Sequence, residues 1–191
     1  VDKKLERALR RAIALLDKHK YRYAVIGGIA YQFWGYPRLT IDVDLKVLAP
    51  QTDYPTVRKL IRAAFPERGR PNIPSDPLVV DAVVGNTIVD FLLAMPGYEE
   101  NIITRAVRRD IGGLKMWICS AEDLIIQKAI AHRAKDWLDV EGVLVTQENK
   151  LDFVYIEDWV KQFAELLEEP EIFGKYAETR DAVRKILAKK K

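Results

Sequence analysis

"AVIGGIAYQFWGYPRLTIDVDLKV", residues 24–47, is the stretch that decides how this chain is read. It opens with an apolar run ending at Gly27-Gly28, and later sets Asp42 and Asp44 among Ile41, Val43, Leu45 and Val47. Strict alternation predicts a strand over 40–48. Its apolar residues share one face, and Thr40, Asp42, Asp44 and Lys46 share the other. A half-buried strand with a solvated face explains this pattern without chemistry. The same spacing also points both carboxylates one way, with Cα atoms roughly 6.6 Å apart at ~3.3 Å per residue. Two carboxylates at that reach are able to share hard divalent cations, which take oxygen ligands.

Working outward, residues 23–26 read as a short strand and 29–34 as a short helix stopped by Gly35 and Pro37. A strand that ends in Gly-Gly and opens into a helix brings free N–H groups and the positive helix end up to a ligand, which suits phosphate. A simple tight turn is the alternative. The spacing matches neither a P-loop nor a dinucleotide fingerprint. Further on, "NTIVDFLLA" is apolar on both strand faces around Asp90. A carboxylate there needs a cation, a hydrogen-bond donor or solvent. With its strand beside that of Asp42 and Asp44, three carboxylates converge and repel one another unless a cation such as Mg²⁺ lies between them. Asp81, in "LVVDAVV", is expected to be structural or edge-facing, opposite no partner.

The remaining elements are a basic amphipathic helix carrying Leu5, Leu9, Ala12, Ile13 and Leu16, and a helix over 54–65. A Pro-rich loop over 67–77 follows, then a hairpin of 78–84 and 87–93 about Gly85-Asn86. "YEENIITRAV" reads as a helix, and a second hairpin turns at Gly112-Gly113. From Ser120, a helix cap, the chain reads as helices over 121–134, 136–148, 156–168 and 171–188. The layout is an α+β core over 1–120 and a helical C-terminal region over 121–191, not a repeated βαβ sheet.

Composition excludes several classes. The formal net charge is only +3, which neither demands nor forbids a nucleic-acid partner. One cysteine, Cys119, rules out an intramolecular disulfide and favours a reducing compartment; between Trp117, Ile118 and Ser120 it reads as a small core residue. His19 and His132 have no partner at zinc-ligand spacing. No stretch reaches the length of an apolar membrane span, and the expectation is a cytoplasmic chain.

The segment "VIGGIAYQFWGYPRLTIDVDLKV" resembles the signature of polymerase β-type nucleotidyltransferases: strand, Gly-Gly or Gly-Ser, helix, then Asp-x-Asp on the next strand and a third acid later. Arg38-x-Thr40-x-Asp42-x-Asp44 and "KAIAHRAKDWLDV" resemble the minimal, AbiEii-type toxin-associated branch. The resemblance covers residues 22–140. It implies a mixed sheet flanked by helices, and transfer of a nucleoside monophosphate from a nucleoside triphosphate to a hydroxyl, with release of pyrophosphate. It further implies Mg²⁺ or Mn²⁺ on Asp42, Asp44 and Asp90, and phosphates cradled by Gly27 and Gly28. Many relatives carry Ser where this chain has Gly28, so one hydroxyl is missing at that point. Lys128 is implied as a cation toward the triphosphate; Arg38 is a further candidate to meet phosphate, with a surface cation before the strand as its alternative, and Asp136 is a candidate to orient Lys128 or the acceptor. For Lys128 the alternative is a lysine snorkelling to solvent, and for Asp136 and Asp139 a solvated helix face. The acceptor implied is RNA such as tRNA, or protein, with an antitoxin as a further partner. Arg105, Arg108, Arg109 and Lys115 are candidates for an RNA patch. The competing readings are an antibiotic-type adenylyltransferase and an inert binding module of the same fold.

Overall fold

A computed structural model describes residues 2–68 and 76–189. Most of the Pro-rich loop and the last two lysines therefore lie outside the described residues. The chain divides into two compact units: residues 1–30 with 39–119, and residues 31–38 with 120–191.

The first unit is built on a six-stranded mixed sheet of order β3-β4-β2-β1-β6-β5. Its strands are β1 (Tyr23–Ile26), β2 (Asp42–Val47), β3 (Val79–Val84), β4 (Thr87–Leu93), β5 (Val107–Ile111) and β6 (Leu114–Ile118). β2 runs antiparallel to β1 and parallel to β4, and the two hairpins β3–β4 and β5–β6 close the flanks. The expected alternation on β2 is what builds the core. Val43, Leu45 and Val47, with Val89, Phe91 and Leu93 of β4, are almost fully buried on one face. Each such side chain contributes about 1.5–3 kcal/mol by leaving water. Helix α1 (Lys3–Lys18) packs on β2, β3 and β4, burying Leu5, Ala8, Leu9, Ala12, Ile13 and Leu16 along one stripe. Asp2 caps it, accepting a hydrogen bond from the Lys4 N–H at 3.3 Å.

Several expected boundaries differ: β2 is shorter than the strand expected over 40–48, and Ile41, placed on its apolar face, lies before it and is exposed. Helix α2 (Gly27–Trp34) starts at the glycine pair itself, so the Gly-Gly is the helix's first turn. After α3 (Tyr54–Ala64), helix α4 (Tyr98–Thr104) ends three residues before its apolar pattern does, because Val107 pairs with Ile118 in the β5–β6 hairpin.

The second unit contains α5 (Ala121–Ala131), α6 (Ala134–Gln147), α7 (Phe153–Leu166) and α8 (Glu171–Ala188). α5 packs on α6 and α7, and α8 on α6 and α7. α5 stops where His132 takes a left-handed conformation (φ 53°), and α7 starts earlier than its apolar pattern because Asp152 caps it through the Tyr155 N–H at 3.0 Å. Residues 31–38, expected within a 1–120 core, group instead with these helices. Tyr31 fills the space beside Gly142, where an added Cβ would meet its hydroxyl oxygen at 2.2 Å. Thr146 bonds the Trp34 carbonyl, and Arg38 bonds Asp139. No helix among the described residues is long and apolar enough to cross a membrane.

Candidate active site

The sheet register assembles the carboxylates. Asp44 of β2 stands beside Asp90 of β4, and Asp90 stands opposite Asp81 of β3. Paired residues in neighbouring strands point to one face, about 4.8 Å apart between strands. Asp44, Asp90 and Asp81 therefore form a row across three strands, and Asp42 lies two residues along on the same face. All four are half-buried. The expectation for Asp81 is corrected here: it faces Asp90 directly.

The glycine pair lies against this row. Ile26, the last residue of β1, pairs with Asp44. Gly27 has φ +62°, and a Cβ there would come within 2.0 Å of Asp44 Oδ2. Glycine is thus required twice at this position, by backbone conformation and by the carboxylate's approach. Thr40, only 8% exposed, donates its hydroxyl to Asp42 Oδ1 at 3.0 Å. Lys46, next on the same strand face, is buried and paired with Glu99, whose other oxygen accepts from the Met95 N–H at 2.7 Å.

Oxygen-only donors at this register fit a hard divalent cation. As the side chains stand, no three His, Cys, Asp or Glu groups among the described residues converge into a closed metal-ligand set.

The comparisons with known proteins bear on the fold that carries this row. The family described as nucleotidyltransferases of unknown function (DUF6036) matches residues 3–183. The chain belongs to that family. No curated protein matches it by sequence. A nucleotidyltransferase-like antigenic protein from Paracoccidioides brasiliensis shares the fold at TM-score 0.56 and 14% identity, over 93% of this chain and 94% of that one. The antibiotic-resistance factor ANT(2'')-Ia does so at TM-score 0.51 and 16% identity, over 98% and 95%. A Thermotoga maritima chain described as a candidate nucleotidyltransferase gives TM-score 0.53 at 14% identity, over 71% and 89%. At these identities the likeness concerns the fold, a nucleotidyltransferase α+β sheet. Enzymes of this fold generally work with divalent metals.

In the second unit of this nucleotidyltransferase, the remaining expected residues form one ion network. Lys128 Nζ lies 2.9 Å from Asp136 Oδ1 and 2.8 Å from Asp139 Oδ2. Arg38 grips Asp139 with two parallel bonds of 2.8 and 2.7 Å, its guanidinium 5.1 Å above the Tyr31 ring. Arg133 bonds Asp136. Asp136 is 0% and Asp139 3% exposed, so the solvated-face alternative is overturned for both. Lys128 does not snorkel either; it is buried between two carboxylates. Burial alone would raise the pKa of Asp136, but hydrogen bonds from Arg133 and Lys128 outweigh it and hold the carboxyl below its ordinary value. The bond to Asp139 raises the pKa of Arg38. Arg38, Lys128 and Arg133 thus converge on the two buried carboxylates.

Proposed function

We propose that this nucleotidyltransferase transfers a nucleoside monophosphate from a nucleoside triphosphate to a hydroxyl of a macromolecular acceptor. The new bond joins the acceptor oxygen to the α-phosphorus. The bond to the bridging oxygen breaks, pyrophosphate leaves, and the hydroxyl proton passes to a carboxylate. The supporting observation is the juxtaposition of Asp42, Asp44 and Asp90 on one sheet face beside Gly27, whose missing side chain opens the approach to Asp44. Asp42 and Asp44 would hold Mg²⁺ or Mn²⁺ with Asp90 on the nucleophile side; when bound, the ions polarise the attacking hydroxyl and neutralise the leaving pyrophosphate. Gly27 and Gly28, at the positive end of α2, offer N–H groups to the phosphates. Asp90 is the base best placed by register for the attacking hydroxyl.

RNA is the acceptor class that the surface favours. Val25 pairs with Ile118, which sets Trp117 on the carboxylate-bearing face of the sheet, its Cα roughly 12 Å from that of Asp44 by strand spacing and rise. Trp117 is 45% exposed and has Arg108 as its cross-strand partner. It lines a cavity of about 330 Å³ with Lys20, Tyr21, Arg22, Tyr23 and a single acid, Asp17. Aromatic rings among cations suit stacked bases and phosphates. A cytoplasmic place as the enzymatic member of a toxin–antitoxin pair fits the resemblance of Arg38-x-Thr40-x-Asp42-x-Asp44.

The deciding experiment incubates each α-³²P nucleoside triphosphate with Mg²⁺ or Mn²⁺, total tRNA and the protein, beside an Asp42→Ala/Asp44→Ala variant. Label moving into RNA only with the intact carboxylates supports the proposal. Label in protein, or only on added aminoglycoside, replaces the acceptor. Absence of both transfer and triphosphate binding overturns the proposal.

A further inference from the structure

Gly27 and Gly28 are glycines for different reasons. Gly27 has φ +62°, a conformation that side chains rarely adopt. Gly28 has no such backbone demand, being an ordinary helical residue, so its lack of a side chain is a matter of space. That space is taken by Thr40. A Cβ on residue 28 would lie 2.3 Å from Thr40 Oγ1 and 2.8 Å from Thr40 Cβ, too close for either to remain. Thr40 brings its hydroxyl into that space from the segment leading into β2. That hydroxyl is buried and donates to Asp42 Oδ1 at 3.0 Å.

We infer that Thr40 is a positioning residue of the carboxylate site, and that Gly28 is glycine in order to admit it. A hydroxyl has one proton to give, and Thr40 gives it to Asp42, so its task is to fix that carboxylate's orientation. Fixing one oxygen leaves the other to face an incoming cation, and removes the rotamer freedom that cation binding would otherwise have to quench. The inference rests on the proposed metal-carboxylate reading for its purpose, but neither half of its test needs nucleotide or turnover.

The space half is read as thermal midpoints of four proteins: wild type, Gly28→Ala, Thr40→Gly and Gly28→Ala/Thr40→Gly. Gly28→Ala alone is expected to lower the midpoint by roughly 5 °C through overpacking. Added to Thr40→Gly, which clears the space, the same change should cost nothing further. Equal losses in both backgrounds would overturn the claim that Thr40 dictates Gly28. The positioning half is read as Mn²⁺ affinity by electron paramagnetic resonance, with Mn²⁺ as the sole added ligand. Thr40→Val keeps the volume and loses the hydroxyl, and should weaken Mn²⁺ about tenfold, the scale of a lost hydrogen bond to a charged group. Thr40→Ser should stay within about twofold of wild type. Equal affinity in Thr40→Val and wild type, or a wild type without Mn²⁺ affinity, would overturn the positioning role. Failure of the nucleotidyl-transfer reading shows separately, as absence of labelled product.

Discussion

Lys128→Met separates two roles for a residue that resemblance assigns to phosphate and the structure buries in an ion network. Methionine approximates the lysine stem in volume, so the perturbation is the loss of the ammonium between Asp136 and Asp139. Removing one partner of a buried ion pair costs about 3–5 kcal/mol because the remaining charge is left uncompensated. Asp139 keeps its two bonds from Arg38, and Asp136 keeps Arg133, so the lower end, about 3 kcal/mol, applies. For a chain of this size that is a fall in thermal midpoint of roughly 6–12 °C. The pH dependence carries a second sign. The folded Asp136 carboxyl is held below its ordinary value, so its contribution is complete above the unfolded value of about 3.9 and disappears as pH falls through the folded one. With Lys128 gone one of the two bonding cations is lost, so the folded value rises and acid destabilisation sets in at higher pH. Circular dichroism melts at pH 7 and between pH 3 and 5, beside nucleoside triphosphate titrations, read both effects. A midpoint within about 2 °C of wild type, together with lost triphosphate affinity, would refute the network reading and return Lys128 to the phosphates.

Gly27→Ala should abolish Mg²⁺-dependent triphosphate binding, measured by calorimetry, while lowering the thermal midpoint only by several degrees; its Cβ intrudes on Asp44 Oδ2, and the left-handed backbone costs about 1–2 kcal/mol for any other residue. Asp81→Asn keeps hydrogen-bonding capacity and removes one of two like charges directly opposed across β3 and β4, so it should raise the metal-free midpoint by ~1–3 °C, a gain that shrinks when Mg²⁺ is added. Burial foremost, then Asp17, pushes the Tyr23 phenol up to about 12, and burial raises Tyr176 as well. Such groups, Tyr31 among them through its own burial, hold their proton more tightly folded than unfolded, so stability is full below pH 10 and declines as pH rises toward 12; alkaline ultraviolet titration should find three late tyrosines that titrate normally in denaturant. Trp117→Ala and Arg108→Ala should each weaken a fluorescein-labelled single-stranded RNA at least fivefold in anisotropy titrations, about 1–3 kcal/mol being the worth of a stacked base, and unchanged binding would remove RNA from that cavity.

Period-two alternation made β2 legible, and with it the shared face of Asp42 and Asp44, because side-chain direction in a strand is fixed by parity alone. Asp81 was equally legible. A two-residue turn at Gly85-Asn86 pairs Val84 with Thr87, and three steps back along that ladder bring Asp81 opposite Asp90. The signal lay in the hairpin register, not in the residues around Asp81. The burial of Asp139 could not be read in the same way. A charged residue on a helix looks solvated until the tertiary partner is known, and Arg38 stands about a hundred residues away in the chain. Thr40 was hidden for a related reason: its meaning depends on the space left by Gly28, and a spacing pattern records side chains that exist, not volumes that must stay empty.

The two charge clusters solve opposite problems. In the second unit, two nearly inaccessible carboxylates are met by cations of the same chain. In the first unit, four half-buried carboxylates share one sheet face, and the cation on their own strand, Lys46, is committed to Glu99. Lys46 therefore adds no net charge to the row, and its ion pair with Glu99 holds it in place beside Asp44. Asp44 and Asp90, and Asp90 and Asp81, are direct cross-strand neighbours in that row. The Gly27 approach and the Thr40 bond to Asp42 are both arranged around that same pair of carboxylates, so a steric clearance and a hydrogen bond point to one place.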